Sequence, residues 1–241
     1  LSMLLAETED EAEALAQELK SLNDMRKDMT EQWTAEAKLL ADTRYRDDKV
    51  LVVFLPECHE SLAGIIAGRL REYCQKPALV LTRGEEAVKG SGRSIEAYHM
   101  FKKLSEVKEL LLKFGGHPMA AGLSLLEENI EPFRKALNEN SGLTEEDFKA
   151  KVWIDVPMPI DYIKERLVEE LKILEPFGQG NEKPLFAQKD VEVCSARVLG
   201  KNRNVLRLSL RSPFSPLLVD AVSFADPAAF DAYVRQKFGD V

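Results

Sequence analysis

Along residues 8–41 apolar side chains return every three, four or seven positions, at Leu15, Leu19, Leu22, Met25, Met29, Trp33 and Leu40. That spacing gathers them into one stripe of a single long helix. No glycine or proline interrupts it, and Glu and Asp crowd its first turns, where a helix N-terminus favours negative charge. The period then changes. Lys49-Val50-Leu51-Val52-Val53-Phe54-Leu55 is the continuous apolar run of a buried strand. Residues 61–73 return to helical spacing, with Leu62, Ile65, Ile66 and Leu70 on one face. Gly64 and Gly68 stand one turn apart on that helix, where another backbone could approach closely. Ala78-Leu79-Val80-Leu81 is a second strand, and the order strand, helix, strand predicts a parallel pair. Residues 88–94 form a short extended stretch of small side chains. Residues 98–114 are predicted as a helix with Phe101, Leu104, Val107, Leu110, Leu111 and Phe114 inward, followed by a strand at 121–126 and a helix at 130–138. Together these elements predict a compact α/β domain ending near Ser141-Gly142.

After an acidic linker the texture changes. Val152-Trp153-Ile154-Asp155-Val156 reads as a strand backed by Pro157 and Pro159, and residues 161–174 as a helix. Residues 184–199 and 205–211 read as two strands joined by Gly200-Lys201-Asn202-Arg203-Asn204, a turn rich in Gly and Asn. Residues 217–224 add another strand, and a helix follows. Several short strands with turn signals suggest a small barrel. No closing strand is evident before Val241, which leaves the closure of that barrel open.

Composition narrows the class. With 45% hydrophobic and 31% charged residues over 241 positions, the chain has the balance of a globular protein of one or two domains. No window approaches the roughly 18 apolar residues of a membrane span, and no signal peptide opens the chain. The three cysteines, Cys58, Cys74 and Cys194, are odd in number and lack a Cys-x-x-Cys spacing. This points away from a disulfide framework or a structural zinc site and towards a reducing, cytoplasmic setting. The net charge of −8 is unusual for a nucleic-acid binder, but it is unevenly spread. Residues 1–48 hold thirteen acidic and six basic side chains, whereas residues 69–113 hold ten basic and six acidic. Binding follows the local field rather than the total.

Four clusters carry candidate chemistry. The first is Gly115-Gly116-His117, read as a break after a lysine-bearing helix. A glycine pair there can turn backbone N–H groups towards one anion, and His117 adds a donor that charges near neutral pH. The alternative is a plain helix C-cap. The second is Lys89-Gly90-Ser91-Gly92-Arg93-Ser94. Two glycines could clear space for a ligand, Arg93 offers a fork suited to a phosphate, Ser91 and Ser94 add hydroxyls, and Lys89 adds a point charge. The alternative is a flexible loop with Arg93 paired to Glu96. The third, Glu57-Cys58-His59-Glu60, is a poor metal site because adjacent residues rarely face one point; His59, near a helix start, could instead face a ligand. The fourth is the basic hairpin of Lys201, Arg203, Arg207 and Arg211. Arg207, Ser209 and Arg211 alternate with Leu206, Leu208 and Leu210, giving one basic and one oily face. Basic grooves hold single-stranded nucleic acid, usually with aromatic platforms. Aromatics are sparse here, and the alternative is a solvated outer face. A nuclease would need metal-holding carboxylates and histidines, and no such cluster is found.

Taken together these residues resemble the C-terminal portion of the RecJ family of single-strand-specific DNA exonucleases, within the DHH phosphoesterase superfamily. The resemblance spans essentially the whole chain. It rests on His59 with Gly64-Ile65-Ile66-Ala67-Gly68-Arg69-Leu70, on Lys89-Gly90-Ser91-Gly92-Arg93-Ser94, on Gly115-Gly116-His117 with Ala120-Ala121-Gly122, and on Leu174-Glu175-Pro176-Phe177-Gly178-Gln179-Gly180-Asn181. Gly-Gly-His alone marks only a DHH-associated domain, which related phosphodiesterases of short oligonucleotides or cyclic dinucleotides share; those generally lack a C-terminal barrel. The resemblance implies a connector helix over 1–48, a DHH-associated α/β domain over 49–142 and an oligonucleotide-binding (OB-like) barrel over 151–241. It implies a metal-dependent 5′-to-3′ exonuclease of DNA repair and recombination, with manganese or magnesium held in a catalytic domain outside this chain. The chain alone is then expected to be inactive, with no metal of its own. His117, Arg93 and the Gly115-Gly116 backbone would clamp a substrate phosphate, supported by Lys89, Ser91, Ser94 and His59, while Lys201, Arg203, Arg207 and Arg211 guide the strand. The implied partners are single-stranded DNA, the catalytic domain and other DNA-repair proteins, with no membrane. A protein-interaction module remains the alternative of a different class.

Overall fold

The computed structural model describes residues 2–149, 151–178 and 180–239, so Gln179 of the 174–181 motif and Val241 lie outside the described residues. The chain divides into two units, residues 1–150 and 151–241. The first unit begins with α1, Glu9–Thr43, a 35-residue helix capped by the Thr8 side chain. Then come β1 (Leu51–Phe54), α2 (Glu60–Cys74), β2 (Ala78–Arg83), β3 (Val88–Arg93), α3 (Met100–Glu106), β4 (Lys113–His117), β5 (Ala120–Leu125) and α4 (Ile130–Glu139). The strands form one sheet in the order β1-β2-β3-β5-β4, with β1 and β2 parallel and the other pairs antiparallel.

Side-chain alternation divides this sheet into two unlike faces. One face packs Leu79, Leu81, Leu123 and Leu125 against Met100, Leu104, Phe133 and Leu137 of α3 and α4. The other packs Leu51, Val53, Ala78 and Val80 against Leu62, Ile66, Ala67 and Leu70 of α2. The second cluster reaches only the β1–β2 side. At the far end Asn138 of α4 latches the edge strand: its Oδ1 accepts from the Lys49 and Val50 N–H groups at 2.7 and 3.0 Å, and its Nδ2 donates to the Val50 carbonyl at 2.9 Å. Arg134 adds a two-pronged pair to Asp48 at 2.6 and 2.7 Å.

The structure corrects the sequence reading in several places. The long helix meets its unit through the buried Thr30, Thr34, Ala37 and Ala41, with only Trp33 and Leu40 of the predicted stripe packed beside them. Small side chains let α1 lie close to Ala63 and Ala67 of α2, and each threonine hydroxyl is satisfied by a carbonyl one turn back. The stripe residues Leu19, Leu22 and Met25 stay half exposed. The helix expected over 98–114 stops at Glu106, passes through a 3₁₀ turn at Lys108–Leu110 and becomes strand β4. Glycines at 115 and 116 cost a helix about 1 kcal/mol each, while a hairpin with β5 satisfies the backbone instead. The glycine pair is therefore part of an edge strand, not a helix cap or a loop. The extended stretch at 88–94 is the central strand β3.

The second unit holds the two-residue strands β6 (Val156–Pro157) and β7 (Phe186–Ala187), the helix α5 (Glu165–Leu171), then β8 (Glu192–Leu199), β9 (Val205–Arg211), β10 (Leu218–Ser223) and α6 (Pro227–Phe238). β6 pairs with β7, and β8, β9 and β10 form an antiparallel sheet. The described residues form no closed barrel. The strand expected over 152–156 shrinks to β6, of which only Val156 lies in the expected span. The helix expected over 161–174 is broken into α5 flanked by 3₁₀ turns. The 174–181 motif folds as a loop stapled by Asn181, whose Nδ2 donates to the carbonyls of Leu174 and Pro176 at 2.8 and 3.0 Å.

Two outcomes follow from the first unit. Gly116 has φ +152°, and a Cβ there would lie 2.3 Å from the Ala120 carbonyl oxygen, whereas a Cβ on Gly115 meets nothing within 4 Å. Gly116→Ala is expected to cost about 1–3 kcal/mol and Gly115→Ala less than about 0.5 kcal/mol, as denaturant titration would measure. Burial pushes the Cys58 thiol up to about 11. Its folded pKa thus exceeds its unfolded one, so its contribution to stability is complete below the unfolded value and is lost as pH rises towards 11. Melting temperature should fall more steeply through that alkaline window in the parent chain than in Cys58→Ala.

Candidate nucleic-acid interface

The face that carries α2 is left open over β5 and β4, and its residues explain why. Cross-strand register sets three rows on this face: Lys89–Ser124–Lys113, Ser91–Gly122–Gly115 and Arg93–Ala120–His117. None of these nine residues brings a large apolar side chain that would need a cover. Successive rows lie about 6.8 Å apart, and β3 and β4 about 9.5 Å apart across β5. The result is a trough with a glycine floor, basic groups at both ends and the N-terminal half of α2 as its wall. Its Lys89 end opens into a cleft of about 510 Å³ lined by Glu60, Ser61, Thr82, Lys89, Lys113 and Ser124.

The wall stands unusually close. A Cβ on Gly64 would lie 3.0 Å from a terminal nitrogen of Arg93 and 3.1 Å from the Ser91 Oγ. Packed under α2, the Arg93 guanidinium donates to the Gly92 carbonyl at 2.9 Å and the Ser91 Oγ at 3.3 Å. No carboxylate pairs with it among the described residues, so the expected alternative of an Arg93–Glu96 pair is not formed. At the hairpin tip, Ser94 N–H donates to the Met119 carbonyl and Met100 N–H to the Pro118 carbonyl, each at 2.9 Å. These bonds hold the turn that follows His117, which is itself exposed.

The structure therefore brings Lys89, Ser91, Arg93, Gly115 and His117 onto one surface. Gly116 serves the hairpin sterically. Ser94 is a correction: it is buried and its hydroxyl donates to the Tyr98 carbonyl, so it stabilises the β3–α3 turn instead of facing a ligand. Gly90 and Gly92 are another. Their missing side chains make room on the opposite, core face for Leu81, Leu123 and Met100. His59 caps α2, with Nδ1 accepting from the Ser61 N–H at 3.2 Å; its ring lies at the mouth of a second cleft that also includes Glu60, Lys89 and Lys113. Lys89 is bound to Glu60 at 2.6 Å, a hydrogen bond and charge pairing that lower the carboxyl pKa and raise that of the ammonium. Lys113 was missed by sequence reasoning. Its signal was the period-two pattern from Lys113 to Gly115 to His117, hidden by a helix extended too far.

In the second unit one face of the three-stranded sheet carries Arg197 beside Arg207, Ser195 beside Ser209, and Glu192 beside Arg211. Arg207 pairs with Asp220 at 2.6 Å and Arg211 with Glu192 at 3.1 Å. The face expected to be purely basic is thus half neutralised by its cross-strand neighbours. Lys201 and Arg203 are exposed in the β8–β9 turn, and Arg197 is a further basic residue that sequence reasoning overlooked. Exposed pairs of this kind contribute only about 0–1 kcal/mol, so a phosphate can compete for both arginines. Among the described residues no group of three or more His, Cys, Asp or Glu is placed to hold a metal ion, and no helix is long and apolar enough to cross a membrane.

An α/β sheet with a basic trough, followed by a small antiparallel sheet with a mixed basic face, defines a DHH-associated domain joined to an oligonucleotide-binding domain. The DHHA1 domain family matches residues 47–141 and the RecJ OB domain family residues 154–241. The chain belongs to the RecJ family and corresponds to its C-terminal portion. It is 35% identical to the single-stranded-DNA-specific exonuclease RecJ of Bacillus subtilis, over 92% of this chain and 28% of that protein. It is 30% identical to the RecJ of Haemophilus influenzae, over 93% of this chain and 41% of that protein. Crystal structures of Thermus thermophilus RecJ in complex with Mg2+ and with Mn2+ superpose with a TM-score of 0.73 at 28% identity, covering 93% of this chain and 34% and 32% of theirs. The chain therefore spans well under half the length of these relatives.

The wall of the trough gives a test that separates stability from binding. Gly64→Ala should leave the melting temperature unchanged or raise it, since alanine favours a helix by about 0.5–1 kcal/mol over glycine. The added methyl displaces Arg93, so affinity for single-stranded DNA should fall several-fold in an anisotropy titration.

Proposed function

We propose that this chain is the substrate-holding part of a metal-dependent, single-strand-specific DNA exonuclease, with digestion running 5′ to 3′. The observation that carries the reading is the uncovered glycine-floored trough, with Arg93 and His117 at one end, in a chain of the RecJ family. A glycine floor lets a sugar–phosphate backbone lie against the sheet. Arg93, free of any carboxylate and aimed by Gly92 and Ser91, offers its fork to a phosphate. His117 stands across β5 from it on the edge strand, where backbone groups of alternate residues face outward. Arg197, Lys201, Arg203, Arg207 and Arg211 lead the strand across the second unit by charge rather than by base reading.

Cleavage belongs to a divalent ion, manganese or magnesium, held by a catalytic domain outside this chain. The described residues do not fit such an ion, so no bond-breaking step is assigned to them. The chain contributes binding and alignment of the phosphate that the metal then activates. In this reading α1 is the connector, and its half-exposed Leu19, Leu22 and Met25 pack on the catalytic half. The RecJ OB match at 154–241 favours this reading over a phosphodiesterase of short oligonucleotides or cyclic dinucleotides.

The purified chain should bind labelled oligo(dT) weakly, with log affinity falling linearly against log salt. Arg93→Ala with His117→Ala should reduce that affinity at least tenfold. Binding that ignores salt would favour a protein-interaction module. Manganese-dependent degradation of single-stranded DNA by the purified chain would contradict the assignment of cleavage to another domain.

A further inference from the structure

We propose that Lys89, Ser124 and Lys113 form a second anion subsite at the far end of the trough, which takes a backbone phosphate of the bound strand and which the Glu60 carboxylate fills in the free protein. The inference rests on the reading of the trough as a nucleic-acid site and adds a contact point that Arg93 and His117 do not explain. Thr82, Lys89, Ser124 and Lys113 stand in one register row across β2, β3, β5 and β4. That row lies four residues from the Arg93–His117 row, or about 13 Å along the strand direction. One phosphate cannot span both ends, so two points on the strand are held.

Three observations mark the row as built for an anion. Lys113 has no ion-pair partner among the described residues, although it is exposed beside the cleft. Thr82 is fully buried, its Oγ1 has no hydrogen-bond partner, and it lines the same cleft. An orphaned buried hydroxyl is uncommon in a folded protein and calls for an explanation; an anion seated at this row would supply its acceptor. The third is that an anion is already present. Glu60, in the first turn of the 15-residue α2, reaches across the cleft to place a carboxylate oxygen 2.6 Å from the Lys89 ammonium.

The charge count at the row is incomplete without a ligand. Two ammonium groups stand in the row but the Glu60 carboxylate pairs with Lys89 alone; the nearby Arg83 is engaged by Glu127 and Glu57. Glu85 and Glu86 rim the outer cleft and oppose an anion there, which directs the strand inward along the glycine floor. The Glu60–Lys89 pair is solvent exposed and so weakly held. A phosphate offers more acceptor atoms and can meet Lys89 and Lys113 together. Arrival of the strand then frees Glu60, and the trough exchanges an internal anion for the substrate. Glu60 thus damps the positive field of the vacant trough, which limits capture of unrelated anions.

The test uses the purified 241-residue chain, fluorescein-labelled oligo(dT) and a series of sodium chloride concentrations. Lys113→Ala should flatten the slope of log affinity against log salt by about 0.7, the value for one phosphate contact on a single strand. Glu60→Gln should tighten binding several-fold at low salt, and adding Lys113→Ala should remove most of that gain. Inorganic phosphate titrated into isotope-labelled protein should shift the amide resonances of Lys89, Lys113 and Ser124, and Glu60→Gln should enlarge those shifts. Both altered side chains are exposed, and circular dichroism checks that the fold is kept. If Arg93→Ala weakens binding while Lys113→Ala and Glu60→Gln change nothing, the second subsite is wrong and the trough stands. If Arg93→Ala also changes nothing, the reading of the trough itself has failed.

Discussion

The close approach of α2 to β3 at Gly64 is the constraint on which the rest of the first unit depends. With no Cβ at that position, the helix settles onto the sheet until its backbone is within contact of Ser91 and Arg93. That contact fixes the guanidinium without a carboxylate to neutralise it. It also sets how far α2 reaches across the sheet. The helix covers β1 and β2 through Leu62, Ile66 and Leu70 and stops short of β5 and β4. An alanine at 64 would displace the Arg93 and Ser91 side chains, and a residue larger than alanine would also lift the helix. The packing of α2 and the placement of Arg93 are thus one event.

The same economy governs charge. A chain with net charge −8 can present a basic surface because like-signed groups are concentrated by strand register rather than by sequence density. Lys89, Arg93, Lys113 and His117 are separated along the chain, yet share one face once β3 and β4 flank β5. On the second unit the outcome differs. There register brings Asp220 and Glu192 beside Arg207 and Arg211, and the field is damped. Screening keeps such pairs weak, so the damping tunes affinity rather than forbidding contact. Among the described residues Arg93 and Lys113 thus keep unpaired charge on the first unit's open face, whereas Arg207 and Arg211 are each paired on the second.

What the sequence made legible was set by how much competition each pattern faced. The run β1–α2–β2 stood clear because a continuous apolar strand, a glycine-marked helix and a second strand admit few alternatives. The span 98–114 did not, because Leu110, Leu111, Leu112 and Phe114 satisfy a helical face and a strand equally well, and only pairing with β5 decides between them. Ser94, Gly90 and Gly92 show a second limit. Residue type announced hydroxyls and space, but which face of β3 received them depended on a register invisible in one chain. Lys113 was hidden for the same reason. Arg93 and His117 were singled out because a fork and an imidazole beside glycines suggest a phosphate whether the backbone is loop or strand, and the register sets both on one open face although the expected loop is a strand.

The long helix carries the last consequence. Its inward face is Thr30, Thr34, Ala37 and Ala41 flanked by Trp33 and Leu40, whereas Leu19, Leu22 and Met25 nearer its start are each more than half exposed. A helix that needed only its own domain would place the large residues inward, since each fully buried Leu or Met contributes about 1.5–3 kcal/mol. Here small residues were used for the intramolecular contact, where close approach matters, and large ones were left for a second surface. At about 1.5 Å per residue the helix extends some 50 Å, far enough to serve both. Such a two-sided helix transmits position: a shift of whatever covers the Leu/Met stripe moves α1 against α2, and α2 at Gly64 holds the arginine. In the function proposed above that surface is the catalytic half, which would join the proposed phosphate contact to the cutting site through α1.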